Sequence, residues 1–586
     1  MNNKLDVVRK RMAELGVDAY IVPSEDPHLS EYPPEEWKLR QYISGFTGSA
    51  GTLVVLSDEA GLWTDSRYYL QAATQLSGSG ITLFKDGLSD TPSFLNWIAG
   101  KLSKGNVVGF DGSCFSARNV ESYRSFFEDY GILVVSDLSP LWDEGVPRKR
   151  TSLYSLPVEI TGLSHREKRE MIFSKTDADA LLLCALDEVA WTLNIRAADT
   201  PYNPVAVAYA VVGRERTVLF AEEQCVSASL RKSLAEQSID LKPYDSVFSY
   251  VASLPKDFTL SVDPSKTNST LAEWIACRKV VETSPVALLK ACKNDTELSG
   301  FRLAMRKDGV ALSNAFSELY ERIGEGERLT EMDVADILLR HRYGQQDFVC
   351  ESFSTIAGYA AHGAVVHYSA TEESNAVIGK DGLLLVDSGG NYLHGTTDIT
   401  RTVCFGTPTT EQRRDYTLVL KGHIAVAMAH FPEGTQGAQL DVLAKMPLWR
   451  AGADYGHGTG HGVGHFLCVH EGPQNIRKVQ NGVSLLPGMV LSDEPGVYRE
   501  GKHGIRIENL VAVAEGERSE FGRFLRFETL TLFPYDAGLI DVGLLTDEEL
   551  NWVNEYHKRV WETLSPAIFD KKTLKWLGKM TSVIGR

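Results

Sequence analysis

The chain has 586 residues, is 43% hydrophobic and 23% charged, and carries a formal net charge of −17. That length is too great for one hydrophobic core and predicts two to four domains. The acidic balance argues against nucleic acid or an anionic membrane as the main partner.

The start, Met1-Asn-Asn-Lys4, opens a charged amphipathic helix over 4–15 and lacks the apolar core of a signal peptide. No apolar run is long enough to span a membrane. Eight cysteines are scattered between Cys114 and Cys468 without a CxxC pair, the pattern of buried thiols in a reducing compartment. Together these features predict a soluble cytoplasmic protein.

The helix ends at Gly16, and Ala19–Val22 follows as a buried strand. A similar unit recurs, with a helix over 165–170 and a strand over 178–183. Both pass through Asp-Ala followed by apolar residues, Asp18-Ala19-Tyr20 and Asp179-Ala180-Leu181. The simplest reading is two tandem α/β domains, 1–147 and 148–294, divided by a linker near 145–152. In that linker Arg148-Lys149-Arg150 reads as a solvated segment. In the first copy Gly45–Gly51 lacks the spacing of a phosphate loop and reads as a connection into the strand Thr52–Leu56, with another strand over 61–64. In the second copy strands are expected around 205–212 and 217–220.

A third domain is predicted over 295–586. Asn294 caps a helix, and two more helical stretches are expected to about Arg342. Short strands alternate with glycine turns over 350–406 and 488–533, with helices near 411–430 and 437–451. Thr546-Asp-Glu-Glu549 is a capping box for a last helix, whose stripe of Leu550, Val553, Val560, Trp561 and Leu564 reads as core packing.

This domain concentrates the chemistry. Tyr455-Gly-His457-Gly-Thr-Gly-His461-Gly-Val-Gly-His465 is followed by Val469-His470-Glu-Gly-Pro473, Ser492-Asp493-Glu494-Pro495-Gly496 and Gly504-Ile-Arg506-Ile-Glu508-Asn509. Upstream lie Leu383-Leu-Leu-Val-Asp387-Ser-Gly-Gly and Thr397-Asp398-Ile-Thr-Arg401-Thr. Asp387 closes an apolar strand over 383–386, and Ser388-Gly-Gly-Asn391 turns the chain back into a strand bearing Asp398. Strand alternation puts Arg506 and Glu508 on one face and Ile505 and Ile507 on the other. Pro495 places Glu494 at a strand end. A helical HExxH site is rejected, because Gly458 replaces the glutamate and glycines alternate through the motif.

Asp387, Asp398, His461, Glu494 and Glu508 form a ligand set for two divalent ions. Oxygen-rich ligation without thiolate favours hard or borderline ions such as Mn²⁺, Co²⁺ or Zn²⁺. Two ions about 3.5–4 Å apart share a hydroxide and polarise a carbonyl, which implies hydrolysis.

These motifs resemble the M24 pita-bread metallopeptidases, and within them the aminopeptidase P group. The phrases GHGTGHGVG, VHEGP, DEPGVY and GIRIENL and the three-domain layout carry the likeness. It implies two creatinase-type α/β N-terminal domains ahead of a catalytic domain of α+β type with a helical extension. By that likeness Asp387 chelates one ion, Asp398 and Glu508 bridge, and His461 and Glu494 hold the other. The implied activity removes the N-terminal residue from peptides with proline second, by attack of a metal-bridging hydroxide with Glu494 as proton shuttle. His367 and His470 match substrate-handling, oxyanion-stabilising histidines. His457 and Arg506 complete the substrate set, Arg506 by orienting carboxylates, and Arg67 matches a position at the substrate mouth. His362 and His465 receive no role. The expected partner is the peptide, with a homodimer as the assembly. The alternatives are a prolidase acting on Xaa-Pro dipeptides, or a non-catalytic binding protein on the same fold. Creatinase shares the fold but lacks the five ligands.

Overall fold

The structure, a computed structural model, describes residues 3–138 and 146–586. Met1, Asn2 and the linker's Gly145 lie outside the described residues. The chain divides into two compact units, 1–289 and 290–586.

The first unit contains two six-stranded sheets of the same design. The order in the first is Thr82–Lys85, Ala60–Thr64, Thr52–Leu56, Ala19–Val22, Val107–Gly109, Leu133–Val135. In the second it is Ile239–Pro243, Thr217–Ala221, Tyr209–Gly213, Ala180–Leu183, Thr259–Val262, Arg278–Val281. Parallel and antiparallel pairings also match position for position. The repeat read from Asp-Ala-apolar is thus a repeat of topology. The helices Asn3–Leu15 and His165–Phe173 each lead into the central strand of their sheet.

Two expectations for this unit need correction. The strand expected from 205 begins only at Tyr209, because Asp199 Oδ2 accepts the Val207 N–H at 2.9 Å and holds that backbone in a loop. Arg150 is not solvated. Its Nη1 donates to Glu36 Oε1 at 2.6 Å and its guanidinium lies 5.4 Å from the Trp37 ring centroid.

In the second unit the helix opening the expected third domain has a complete capping box between Asn294 and Glu297. It runs unbroken for 30 residues, Asp295–Gly324, and one further helix follows, Glu331–Tyr343, instead of two. Gly300 and Gly309 resemble helix breakers but mark close approaches. A Cβ at Gly300 would lie 2.4 Å from the His394 carbonyl oxygen, and one at Gly309 would lie 2.5 Å from that of Leu532.

Both helices cover a three-stranded antiparallel sheet of Ile356–Tyr359, Leu383–Ser388 and Ile399–Cys404. Phe316, Leu319, Val334 and Leu338 pack there on Leu384, Val386, Ile399 and Val403. A six-stranded sheet carries Val490–Asp493 beside Gly460–Gly462 and Asn509–Ser519. Leu440 and Ala444 of the Gly437–Trp449 helix pack against its Leu491, Val511 and Phe527. The helix Asp547–Leu564 buries Leu550, Val553, Val560 and Leu564 in the core, with Trp561 packed against them, and a shorter helix, Lys571–Met580, follows it. Among the described residues all eight cysteines are free, and no helix is long and apolar enough to cross a membrane.

Candidate metal centre

The five predicted ligands come from two sheets. Asp387 lies on Leu383–Ser388, opposite Thr400, and Asp398 immediately precedes the strand Ile399–Cys404. The direct turn expected after Asp387 is replaced by an excursion, in which Gly390–Tyr392 and Gly395–Thr396 form a small sheet with Phe348–Glu351. Asn391 anchors it by donating Nδ2 to the Glu351 carbonyl at 3.1 Å. From the other sheet come His461, mid-strand in Gly460–Gly462, and Glu494, directly after Val490–Asp493. Glu508 lies between His503–Arg506 and Asn509–Ser519.

Thr400 ties the two sheets together. Its Oγ1 accepts from Arg506 Nε at 3.1 Å and donates to Glu508 Oε2 at 2.8 Å. The Glu508 N–H also donates to the Thr400 carbonyl at 3.1 Å. Ile505 and Ile507 point into the core, so the alternation read from sequence holds through Glu508 although the ladder ends at Arg506.

Ligand atoms of Asp398, His461 and Glu508 lie within 4.8 Å of one another. His461 Nε2 is 3.4 Å from Asp398 Oδ2 and 3.5 Å from Glu494 Oε1. Its Nδ1 lies 2.9 Å from the Gly462 carbonyl, which only accepts, so Nδ1 carries a proton and Nε2 faces the carboxylates. Ser492 Oγ accepts from the His461 N–H at 2.9 Å and donates to Glu494 Oε1 at 3.1 Å. Glycine is required beside it, since a Cβ at Gly460 would lie 2.0 Å from the Ser492 carbonyl.

The electrostatics fit a cation-binding centre. Burial, with Asp398 nearby, raises the Asp387 carboxyl to about 6 despite Arg506. Burial likewise raises Glu494 to about 7 against the pull of His461 and Arg506. Glu508 is driven well above its usual range by burial, then by the charges of Asp398 and Asp387. Burial disfavours the His461 imidazolium, but Asp398 and Glu494 outweigh it and raise the group to about 9. Asp387 Oδ1 and Glu508 Oε1 are buried without a hydrogen-bond partner among the described residues. Four crowded carboxylates with two unused oxygens and one imidazole nitrogen fit divalent cations.

Models of known families match four successive segments of the chain. Metallopeptidase family M24 matches residues 300–515, and its C-terminal region matches 523–584. Two models of the creatinase/prolidase N-terminal domain match 4–144 and 145–297. Aminopeptidase P2 of Arabidopsis thaliana is 38% identical over the whole chain and 89% of its own length. The chain belongs to metallopeptidase family M24. A probable Xaa-Pro aminopeptidase P of Laccaria bicolor is 40% identical over 99% of this chain and 93% of its own. The crystal structure of X-prolyl aminopeptidase from Caenorhabditis elegans, described as a cytosolic enzyme with a di-nuclear active site, superposes with a TM-score of 0.95. It is 35% identical, and 99% of each chain is covered. The prolidase of Pyrococcus horikoshii, 23% identical over 63% of this chain and 99% of its own with a TM-score of 0.50, shares the fold.

The remaining predicted residues of this M24 chain occupy distinct places. Arg506 Nη2 donates to Asp387 Oδ2 at 2.6 Å, and its Nη1 donates to the Tyr498 hydroxyl at 2.8 Å. His457 Nε2 lies 2.8 Å from that hydroxyl, while its Nδ1 lies 2.8 Å from the Gly458 carbonyl. The carbonyl only accepts, so Nδ1 carries a proton and Nε2 faces the Tyr498 hydroxyl. His470 sets its ring edge-on to His461, with centroids 4.4 Å apart. His367 is half-buried, directly after Val366, whose carbonyl accepts from Arg506 at 3.4 Å. Arg67 lies in the first unit and makes a two-point pair with Asp65 at 2.8 and 2.7 Å.

Thr400, Ser492 and Tyr498 went unnoticed in the sequence. Each sits within a motif already in view, two residues from an acid or four after Glu494, but a hydroxyl in a strand gives no pattern of its own.

Proposed function

We propose that this M24 protein is a dinuclear-metal aminopeptidase that hydrolyses the N-terminal Xaa-Pro bond of peptides. The convergence of Asp398, His461 and Glu508, with Asp387 held by Arg506 and Glu494 by Ser492, carries the reading. Asp387, Asp398, His461, Glu494 and Glu508 hold two divalent ions, Mn²⁺ in preference to Zn²⁺ or Co²⁺. When bound, such ions polarise the carbonyl ahead of proline and acidify the attacking water.

The chain's own groups do the rest. Glu494 takes a proton from the attacking water on its carboxylate and delivers it to the departing proline nitrogen. His367 and His470 donate ring N–H groups to the carbonyl oxygen as negative charge develops there. His457, through Tyr498, steadies Arg506 beside the substrate. In this reading the domains are 1–147, 148–294 and 295–586, and the enzyme works in the cytoplasm as a homodimer.

Peptide length tests the proposal. Xaa-Pro-Yaa and longer peptides should release their first residue efficiently, and Xaa-Pro dipeptides poorly. Replacing proline by alanine should remove most of the rate, because the ring presets the peptide's shape. A kcat/KM for dipeptides at or above that for tripeptides would make the enzyme a prolidase.

A further inference from the structure

His367 sits between two anchored neighbours. On one side the Val366 carbonyl accepts from Arg506 Nη2 at 3.4 Å. On the other, the Tyr368 hydroxyl donates to Glu331 Oε2 at 2.8 Å. Glu331 is the first residue of the helix Glu331–Tyr343 and is fully buried. Its position suits a helix N-terminus, yet its carboxylate serves the segment carrying His367.

Four donors converge on that carboxylate. Oε1 accepts the Tyr359 N–H at 2.7 Å and His362 Nδ1 at 2.8 Å. Oε2 accepts the Ala376 N–H at 2.9 Å beside the Tyr368 hydroxyl. All four lie on the excursion from 359 to 376, so one side chain binds it at both ends and near its middle. Hydrogen bonds to an ionised acceptor are shorter and stronger than neutral ones, and four of them leave the carboxylate well compensated.

The excursion has reason to need such a hold. Ala360 has a φ of 51°, a left-handed conformation that a residue with a Cβ adopts at a cost. Gly363 is packed between two other glycines: a Cβ at Gly504 would lie 1.6 Å from its carbonyl oxygen, and one at Gly358 would lie 2.9 Å from its Cα. The His362 ring stacks on Tyr368 at 4.6 Å and 25°, so two of the four donors also brace each other. Backbone held this closely has one productive arrangement, and a shift of a few tenths of an ångström would carry to His367.

We propose that Glu331 is the positioning residue for His367, acting through Tyr359, His362, Tyr368 and Ala376. This rests on His367 contacting the substrate as described above. It also gives His362 a role, as a strut within the loop.

Glu331→Gln places an amide nitrogen among donors and should break the hold without changing side-chain size. It should lower kcat about 10–100-fold, the loss typical of partners that orient a site, with KM and bound metal unchanged. In a His367→Ala background the same substitution should lower kcat by less than about twofold, because the residue it acts through is gone. Equal losses in both backgrounds would overturn the inference.

A second readout separates this from the role of His367 itself. In protein labelled with ¹³C-histidine, Glu331→Gln and the milder Tyr368→Phe should both shift the His367 ring signal and leave that of His165, in the first unit, in place. An unmoved His367 signal would overturn the inference even if His367→Ala proves inactive. Should His367→Ala keep full activity while the signal moves, the substrate role fails and the positioning stands.

Discussion

Arg506 donates to Asp387 across 2.6 Å, and both side chains are buried. Asp387 Oδ2 is thereby occupied and Oδ1 is left for another partner. Removing the guanidinium should free Asp387 to rotate and raise its pKa further, since Arg506 is the main influence lowering it. Arg506→Met is expected to weaken metal binding about 10–100-fold, read by titration of metal-free protein. Unchanged affinity would mean that Asp387 is held by the fold alone.

Asp398 is placed to join the groups of both sheets, with His461 3.4 Å away. Asp398→Ala should cost activity and at least one bound ion while the fold survives. Metal analysis beside a circular dichroism spectrum checks both halves; two ions retained would remove Asp398 from the ligand set.

The histidines that are not ligands predict a different signature. Alanine at His367 or His470 should lower kcat by roughly 10²–10³ with metal content intact. Metal lost with either substitution would show that ligand and substrate roles have been exchanged.

Much of this site was legible because strand alternation and proline act locally. Ile505 and Ile507 in the core against Arg506 and Glu508 at Thr400 follow from a period of two, and Pro495 fixed Glu494 at a strand end. The excursion between Asp387 and Asp398 was not legible, because Ser388-Gly-Gly-Asn391 reads as a tight turn. What decides otherwise is a distant partner, the Phe348–Glu351 strand with Glu351 O accepting from Asn391. Glu331 was invisible for the same reason. An acid at a helix start is ordinary, and its four donors lie 28 to 45 positions away along the chain. The full length of Asp295–Gly324 was not legible either, because the close approach that Gly309 permits is to the carbonyl of Leu532, far off in sequence.

Stability should depend on pH through buried neutral histidines away from the metal centre. His557 Nε2 accepts the Tyr535 N–H at 3.1 Å and so must be unprotonated. Burial, with Arg401 nearby, lowers its pKa to about 4, and burial lowers His165 in the first unit to about 4. The unfolded chain binds these protons near pH 6.5 and the folded chain does not. Stability is therefore full above about 6.5 and falls as pH drops toward 4, by roughly 3 kcal/mol for each histidine. Urea midpoints measured between pH 8 and pH 5 should fall on the acid side, and His557→Gln should flatten the fall in the second unit. Midpoints that do not change over that range would contradict the burial argument.

Activity measured against added metal tests the central claim most directly. Protein stripped by exhaustive chelation should release no residue from an Xaa-Pro-Yaa peptide. Titrated with Mn²⁺, it should regain activity up to two equivalents of ion and no further. Full activity in the metal-free protein would contradict the account.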